Sequence, residues 1–156
     1  MFDPETQAFL ESGCGLIVAT VSGEGEPHAA RAWGLDLLEP GPPARMRLLL
    51  DLDDERTIAH AASRGAIAVT GANVLTLRSM QLKGRAVEVA VASPDDAARA
   101  DRYIRAFYAD VEATDRVPWE RFEHFLPAGY VTCTIEVHDA FDQTPGPGAG
   151  ARVGAG

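Results

Sequence analysis

The clearest pattern in the chain is the alternation from Thr76 to Val91, TLRSMQLKGRAVEVAV. Successive side chains of a strand point to opposite faces. Met80, Leu82, Ala86 and Ala90 share one face; Ser79, Gln81, Lys83 and Arg85 share the other. The first face suits a core. The second lines up a hydroxyl, an amide and two cations, which could grip an anionic, hydrogen-bonding ligand. It also describes an edge strand with a solvated polar face. Gly84 interrupts the run, as a strand glycine does at a bulge or a close backbone approach.

Further strands are predicted at Leu16 to Val21, Pro27 to Leu38, Met46 to Leu50, Ala66 to Thr70 and Tyr130 to Val137. The turn chemistry of Ser22-Gly23-Glu24-Gly25-Glu26 makes a hairpin of the first two. In the second, Arg31, Trp33 and Leu35 fall on one face. Ala30, Ala32 and Gly34 fall on the other, small enough for another surface to pack close. Four helices are predicted between and before these strands. Asp3 caps the first, with Pro4 in its first turn, and it runs to about Ser12. Asp53-Asp54-Glu55 opens the second, to about Ser63, with its acids at the positive end of the dipole. Ser93, Pro94 and Asp96 open the third, with Tyr103, Ile104, Phe107, Tyr108 and Val111 at helical spacing. Pro118 opens the last. Strands joined by tight turns are antiparallel, and strict strand–helix alternation is absent. The fold expected is mainly β with peripheral helices (α+β), a small six-stranded antiparallel barrel, which also removes exposed sheet edges.

At 156 residues the chain reads as one domain, large enough to bury about 70% of its unfolded surface without disulfide or metal. That domain spans residues 1–142. Residues 143–156, rich in glycine and proline, hold too few apolar side chains to pack and are expected to be flexible. A net charge of −9 argues against nucleic acid or an anionic membrane as partner. Cys14 and Cys133 lie far apart in apolar runs and read as buried thiols. Acids occupy the N-terminus where a secretory signal needs cations, and no apolar run approaches the ~20 residues of a membrane span. A cytoplasmic location is expected.

Familiar catalytic signatures are missing. No GxGxxG follows a strand, and there is no P-loop or GxSxG elbow. His28, His60, His124 and His138 stand singly, with no neighbour at metal-ligand spacing. The acids from Asp51 to Glu55 lack the alternation and glycine of a calcium loop. No metal site is expected.

Two motifs in a set order carry a resemblance. Arg31 and Trp33 lie on strand 2, and Arg56-Thr57 opens the helix after strand 3. Then Gly65-Ala66-Ile67-Ala68-Val69-Thr70 leads into Arg78-Ser79-Met80-Gln81-Leu82-Lys83-Gly84. This resembles the pyridoxamine 5′-phosphate oxidase-like, FMN-binding split-barrel superfamily over roughly residues 10–92 and 130–138. The resemblance implies a split β-barrel and a homodimer with FMN at the subunit interface. It implies a flavin-dependent oxidoreductase acting on a small substrate. Alternatives on the same barrel are a non-catalytic holder of FMN, haem or deazaflavin F420, and a barrel that has lost its cofactor. Carried over by position, Arg31, Ala32 and Trp33 lie along the isoalloxazine. Arg56, Thr57 and Ser79 hold the phosphate, where a helix N-terminus offers N–H groups and an arginine a bidentate grip. Gln81 and Lys83 face the ring or its ribityl chain. The chain departs from the family in two places. The loop from Asp51 to Arg56 has one cation among four acids where the family often has paired bases. The C-terminal R-L-A-P substrate motif of the pyridoxine-phosphate oxidases is absent, so that activity is not expected.

Overall fold

The structure is a computed structural model that describes residues 2–153. Its strands are β1 (Gly15–Val21), β2 (Pro27–Glu39), β3 (Ala44–Asp51), β4 (Ala66–Ala72), β5 (Ser79–Val91), β6 (Tyr130–Asp142) and β7 (Arg152–Val153). They run in the order β3-β2-β1-β4-β5-β6-β7, every pairing antiparallel, and β6 also pairs with β3. That last pairing closes six strands into the expected barrel.

Alternation decides the inside. Leu16, Val18, Met46, Leu48, Leu50, Val69, Leu82 and Ile135 point inward and are all but inaccessible. Burying each such side chain contributes roughly 1.5–3 kcal/mol. Both cysteines are free and buried, as expected. Helix α1 (Pro4–Leu10) is capped by the Asp3 side chain and inserts Phe9 and Leu10 into the core. Helix α2 (Glu55–Ala62) packs at the Thr20 end, where His60 Nδ1 lies 2.9 Å from Thr20 Oγ1.

Helix α3 (Pro94–Asp115) starts at Ser93 as expected, and Ser93 and Asp96 are bonded reciprocally as a capping box. It lies across the outside of β2 and β3. Its Ala100 and Ile104 meet Trp33, Leu49 and Phe122 in a second core. The short helix α4 (Trp119–Phe122), followed by a 3-10 turn over Glu123–Phe125, supplies Phe122. Arg47 Nη1 holds Asp96 at 2.9 Å and Arg99 Nη1 holds Asp36 at 2.8 Å, pinning α3 to the barrel wall.

Four local features differ from the pattern reading, one being a register shift between Ala86 and Glu88 in β5 that leaves Ala90, expected on the core face, exposed. Residues 76–78 are not strand: the Asn73 side chain accepts from the Leu75 and Thr76 amides, and Leu77 sits at φ 61°. In β2 the pairing jumps from Ala32↔Leu50 to Gly34↔Leu49, so Trp33 is an extra residue. Leu35 therefore turns inward, away from the face it was expected to share with Arg31. In β6 the pairing with β5 skips His138, between Val137↔Gly84 and Asp139↔Lys83. Past this bulge the buried position falls at Ala140, and Phe141 turns outward.

Residues 143–153 fold back. Gln143 N–H donates to the Ser79 carbonyl at 2.8 Å and Gly150 N–H to the Asp142 carbonyl at 2.7 Å. Strand β7 then pairs with Ala140 and Phe141. It covers the edge of β6 that β3 no longer reaches, which is how folds commonly blunt a free edge.

Candidate functional site

The outward face of β2-β1-β4-β5-β6 is the best candidate. Register places side chains on it in rows. One row runs Arg31, Ile17, Thr70, Gln81, Phe141. The next runs Ala29, Ala19, Ala68, Lys83, Asp139. The middle of both rows is Ala19, Ala68, Thr70 and Ile17, small apart from Ile17, which is 46% exposed. Arg31 and Lys83 stand on either side, three strand spacings or ~14 Å apart across the sheet and one row or ~7 Å apart along it. Both are exposed, and neither forms an ion pair among the described residues. Lys83 Nζ lies over the Phe141 ring, 4.9 Å from its centre. Gln81 Nε2 donates to Thr70 Oγ1 at 3.4 Å. The face thus offers an apolar floor between two cations, with an amide and a hydroxyl at the middle.

The other predicted residues are placed as follows. The Ala32 side chain points into the barrel core. Trp33 is buried beneath α3 in the second core. With Gly15, Arg31 and Phe107, these two line a narrow cleft between α3 and β1. Ser79 lies beside Ala72 and Gly15, five residues along β5 from Gly84, which is level with the Thr20 end where α2 sits. That is ~17 Å of strand. Its hydroxyl donates to the Leu77 carbonyl at 2.9 Å, and its amide to Thr144 Oγ1. Within one chain, Ser79 is therefore not brought together with Arg56 and Thr57.

The start of α2 lies along the β2 edge of the face. Leu50 pairs with Ala32, so the loop after β3 leaves the sheet beside Arg31. It reaches His28, whose Nε2 is 3.4 Å from Asp54 Oδ1. Asp54 caps the helix from within. Its Oδ1 accepts the Thr57 amide at 3.0 Å and its Oδ2 accepts the Thr57 hydroxyl at 2.5 Å. Thr57 is 1% exposed, so these bonds account for the donors it can offer. Burial disfavours the charged form of Asp54. The Thr57 hydroxyl and amide, and His28 beside it, outweigh that and hold its carboxyl below the usual range. Arg56 points to solvent and has no hydrogen-bond or ion-pair partner among the described residues.

Sequence reasoning missed the floor and Phe141. The floor was available in principle, since Ile17 and Ala19, and Ala68 and Thr70, alternate with the buried positions of β1 and β4. Phe141 had no such signal, because a bulge at His138 sets its direction.

No protein-family model matches this sequence, and no curated protein matches it. Solved structures do match. HupZ of Group A Streptococcus is 17% identical, with a TM-score of 0.58, over 96% of this chain and 100% of that one. A Lactobacillus delbrueckii protein provisionally named a pyridoxamine 5′-phosphate oxidase is 15% identical, with a TM-score of 0.54, over 90% and 93%. A conserved hypothetical protein of Mycobacterium tuberculosis is 17% identical, with a TM-score of 0.51, over 90% and 82%. No described helix is long and apolar enough to cross a membrane. At such identities a likeness shows the fold alone, and the fold these structures share with the chain is the split barrel.

Proposed function

We propose that the chain pairs with a second copy of itself and holds a flat, anionic ring of the flavin type on the outward barrel face, as a redox protein acting on a small molecule. FMN is the first cofactor to test, with F420 and haem as the other candidates. The observation that carries the reading is Arg31 and Lys83, two exposed cations without ion-pair partners, flanking a floor of Ile17, Ala19, Ala68 and Thr70. A ring laid on that floor meets apolar atoms below and hydrogen-bond donors at its rim. Its upper side needs cover, which the same face of a second copy would supply.

The fit to FMN is divided. The ring portion fits: Gln81 would offer its amide to a carbonyl at the ring edge, and Lys83 would offset negative charge there. The phosphate portion does not fit the start of α2, where Asp54 already holds the Thr57 donors. A flavin supplies electron transfer when bound. The residues of this chain bind it, orient it and set the charge beside it.

The direct test is titration of purified protein with riboflavin, FMN and haemin, followed by flavin fluorescence and haem absorbance, with light scattering on the same sample. A dimer that quenches flavin is expected. Replacing both Arg31 and Lys83 by Ala should weaken binding at least about tenfold, ~1.4 kcal/mol, without lowering thermal stability. Absence of binding to riboflavin, FMN and haemin, and to F420 titrated in the same way, would refute the reading.

A further inference from the structure

We infer that Asp54 stands in for a ligand phosphate at the start of α2, so that the outward face selects a flavin-type ligand by its ring and not by a terminal phosphate. This rests on the reading above for the ring, and on the geometry of Asp54 alone for the phosphate.

A helix start attracts an anion because its first amides have no intrahelical acceptor. In α2 that role is taken by a side chain of the protein. The Asp54 carboxylate accepts both the amide and the hydroxyl of Thr57. It also faces the His28 ring. A phosphate arriving here would have to displace an anion that is covalently part of the chain and therefore always present. Asp53 and Glu55 lie on either side, and Asp51 accepts the Asp53 amide in the same loop. Arg56 is the single cation of this stretch, and it extends into solvent, where its attraction is screened. The hydroxyl of Ser79 is bonded to Leu77 and lies toward the other end of the barrel.

The position matters because of where the loop runs. It leaves β3 beside Arg31 and reaches His28, along one margin of the floor. A ring on the floor with a phosphate-bearing tail directed past Arg31 would bring two negative charges against this carboxylate. A ring with no phosphate meets no such opposition. The ligand class implied is a planar redox ring with neutral or no terminal substituent, riboflavin being the simplest probe.

Two measurements decide this. The first compares riboflavin with FMN on the parent protein and on Asp54→Gly. Glycine is an acceptable N-cap residue, although it leaves the buried Thr57 amide and hydroxyl without their Asp54 acceptor. It frees both Thr57 donors and removes the charge. In the parent, the two flavins should bind within about threefold of each other. In Asp54→Gly, FMN should tighten by about tenfold while riboflavin stays unchanged. Asp54→Asn keeps the cap and removes only the charge, and should give a smaller gain. A parent that prefers FMN by tenfold or more overturns the inference and leaves the ring reading standing.

The second measurement uses inorganic phosphate and no flavin. Amide resonances of Glu55, Arg56 and Thr57 should not titrate saturably with phosphate in the parent, and should do so in Asp54→Gly. Saturable titration in the parent overturns the inference. Failure of every ring to bind removes the ring reading, while this experiment still decides the role of Asp54. If Asp54→Gly does not fold, the parent titrations and Asp54→Asn carry the decision.

Discussion

Lys83 and Phe141 are diagonal neighbours on adjacent strands, the cation 4.9 Å from the ring centre, because β6 carries one residue more than β5 at His138. Unbulged alternation from the buried Val137 would have pointed Phe141 into the barrel. The bulge thus gives the floor an aromatic margin and holds Lys83 along it.

The first prediction follows from that placement. Lys83→Met keeps the length of the side chain and removes its charge. Bound flavin should then be harder to reduce, since reduction adds negative charge to a ring that has lost its neighbouring cation. A fall of roughly 30–60 mV is expected, where ~30 mV of a two-electron couple corresponds to ~1.4 kcal/mol. Affinity should change less. An unchanged potential in a redox titration would mean that the ring does not lie beside Lys83.

Gly84 offers a test of the wall itself. Its Cα lies against the β6 backbone, and a Cβ added there would collide with the carbonyl of Glu136. The obstacle is backbone on both sides and cannot swing away. Gly84→Ala should therefore cost about 3 kcal/mol, at the upper end of overpacking, visible as a lower denaturant midpoint. If the variant is as stable as the parent, β5 and β6 are not so closely apposed.

How much of this was legible beforehand depends on period and offset. Strands whose buried positions alternate without interruption, such as Leu16, Val18 and Thr20, were readable as barrel wall. So were the caps at Asp3 and Ser93, because capping acts through the next three residues. The bulges at Trp33 and His138 were not readable, since one extra residue inverts every side chain that follows. They account for the errors in the faces assigned to Leu35 and for the omission of Phe141. Arg56-Thr57 was recognisable as a helix start, yet which anion occupies it was not. That required seeing that Asp54 turns back on Thr57.

Alkaline stability should report on the interior. Burial pushes the Cys133 thiol up to about 12 from an ordinary value of 9.0. It also pushes Tyr103 well above 10.0, chiefly by burial and then by the neighbouring Cys14. In each case the folded state binds a proton that the unfolded state releases. Stability is therefore full below pH 9 and falls as pH rises above it, for Cys133 by up to ~1.4 kcal/mol per pH unit until about pH 12. Cys133→Ala should be less stable at neutral pH because of the cavity, and should lose stability less steeply with alkali. Parallel curves for parent and variant from pH 8 to 11 would contradict this assignment.

Tyr103 has a second role that substitution can isolate. Its hydroxyl accepts the Cys14 amide at 3.1 Å and donates to the Leu10 carbonyl at 2.9 Å, tying α3 to the connection between α1 and β1. Tyr103→Phe keeps the ring in place and leaves two buried backbone groups unpaired. The expected cost is about 1–3 kcal/mol. Hydrogen exchange at Cys14 should speed up relative to amides of the barrel core. A variant with unchanged stability and unchanged Cys14 protection would show that water replaces the hydroxyl.

The pairing of two chains is testable at Ile17. This side chain lies in the middle of the outward face, is 46% exposed, and has Ala19, Thr70 and Arg31 as its neighbours on that face. An exposed apolar residue by itself is ordinary. Here it is flanked by small side chains on a flat sheet, so a second copy can approach closely over a wide area. Ile17→Glu places a charge at the centre of that area. If the faces meet there, the charge must be desolvated opposite its own symmetry mate, and like charges brought together in an interface cost several kcal/mol. The variant should scatter light as a monomer at micromolar concentration while its thermal midpoint in dilute solution stays near the parent's. It should also lose ring binding, because each ring would lose its upper wall. A monomeric variant that still binds flavin as tightly as the parent would separate the two claims: the face would be the dimer contact, and the ring would lie elsewhere. A variant that remains dimeric would place the contact on another surface of the barrel.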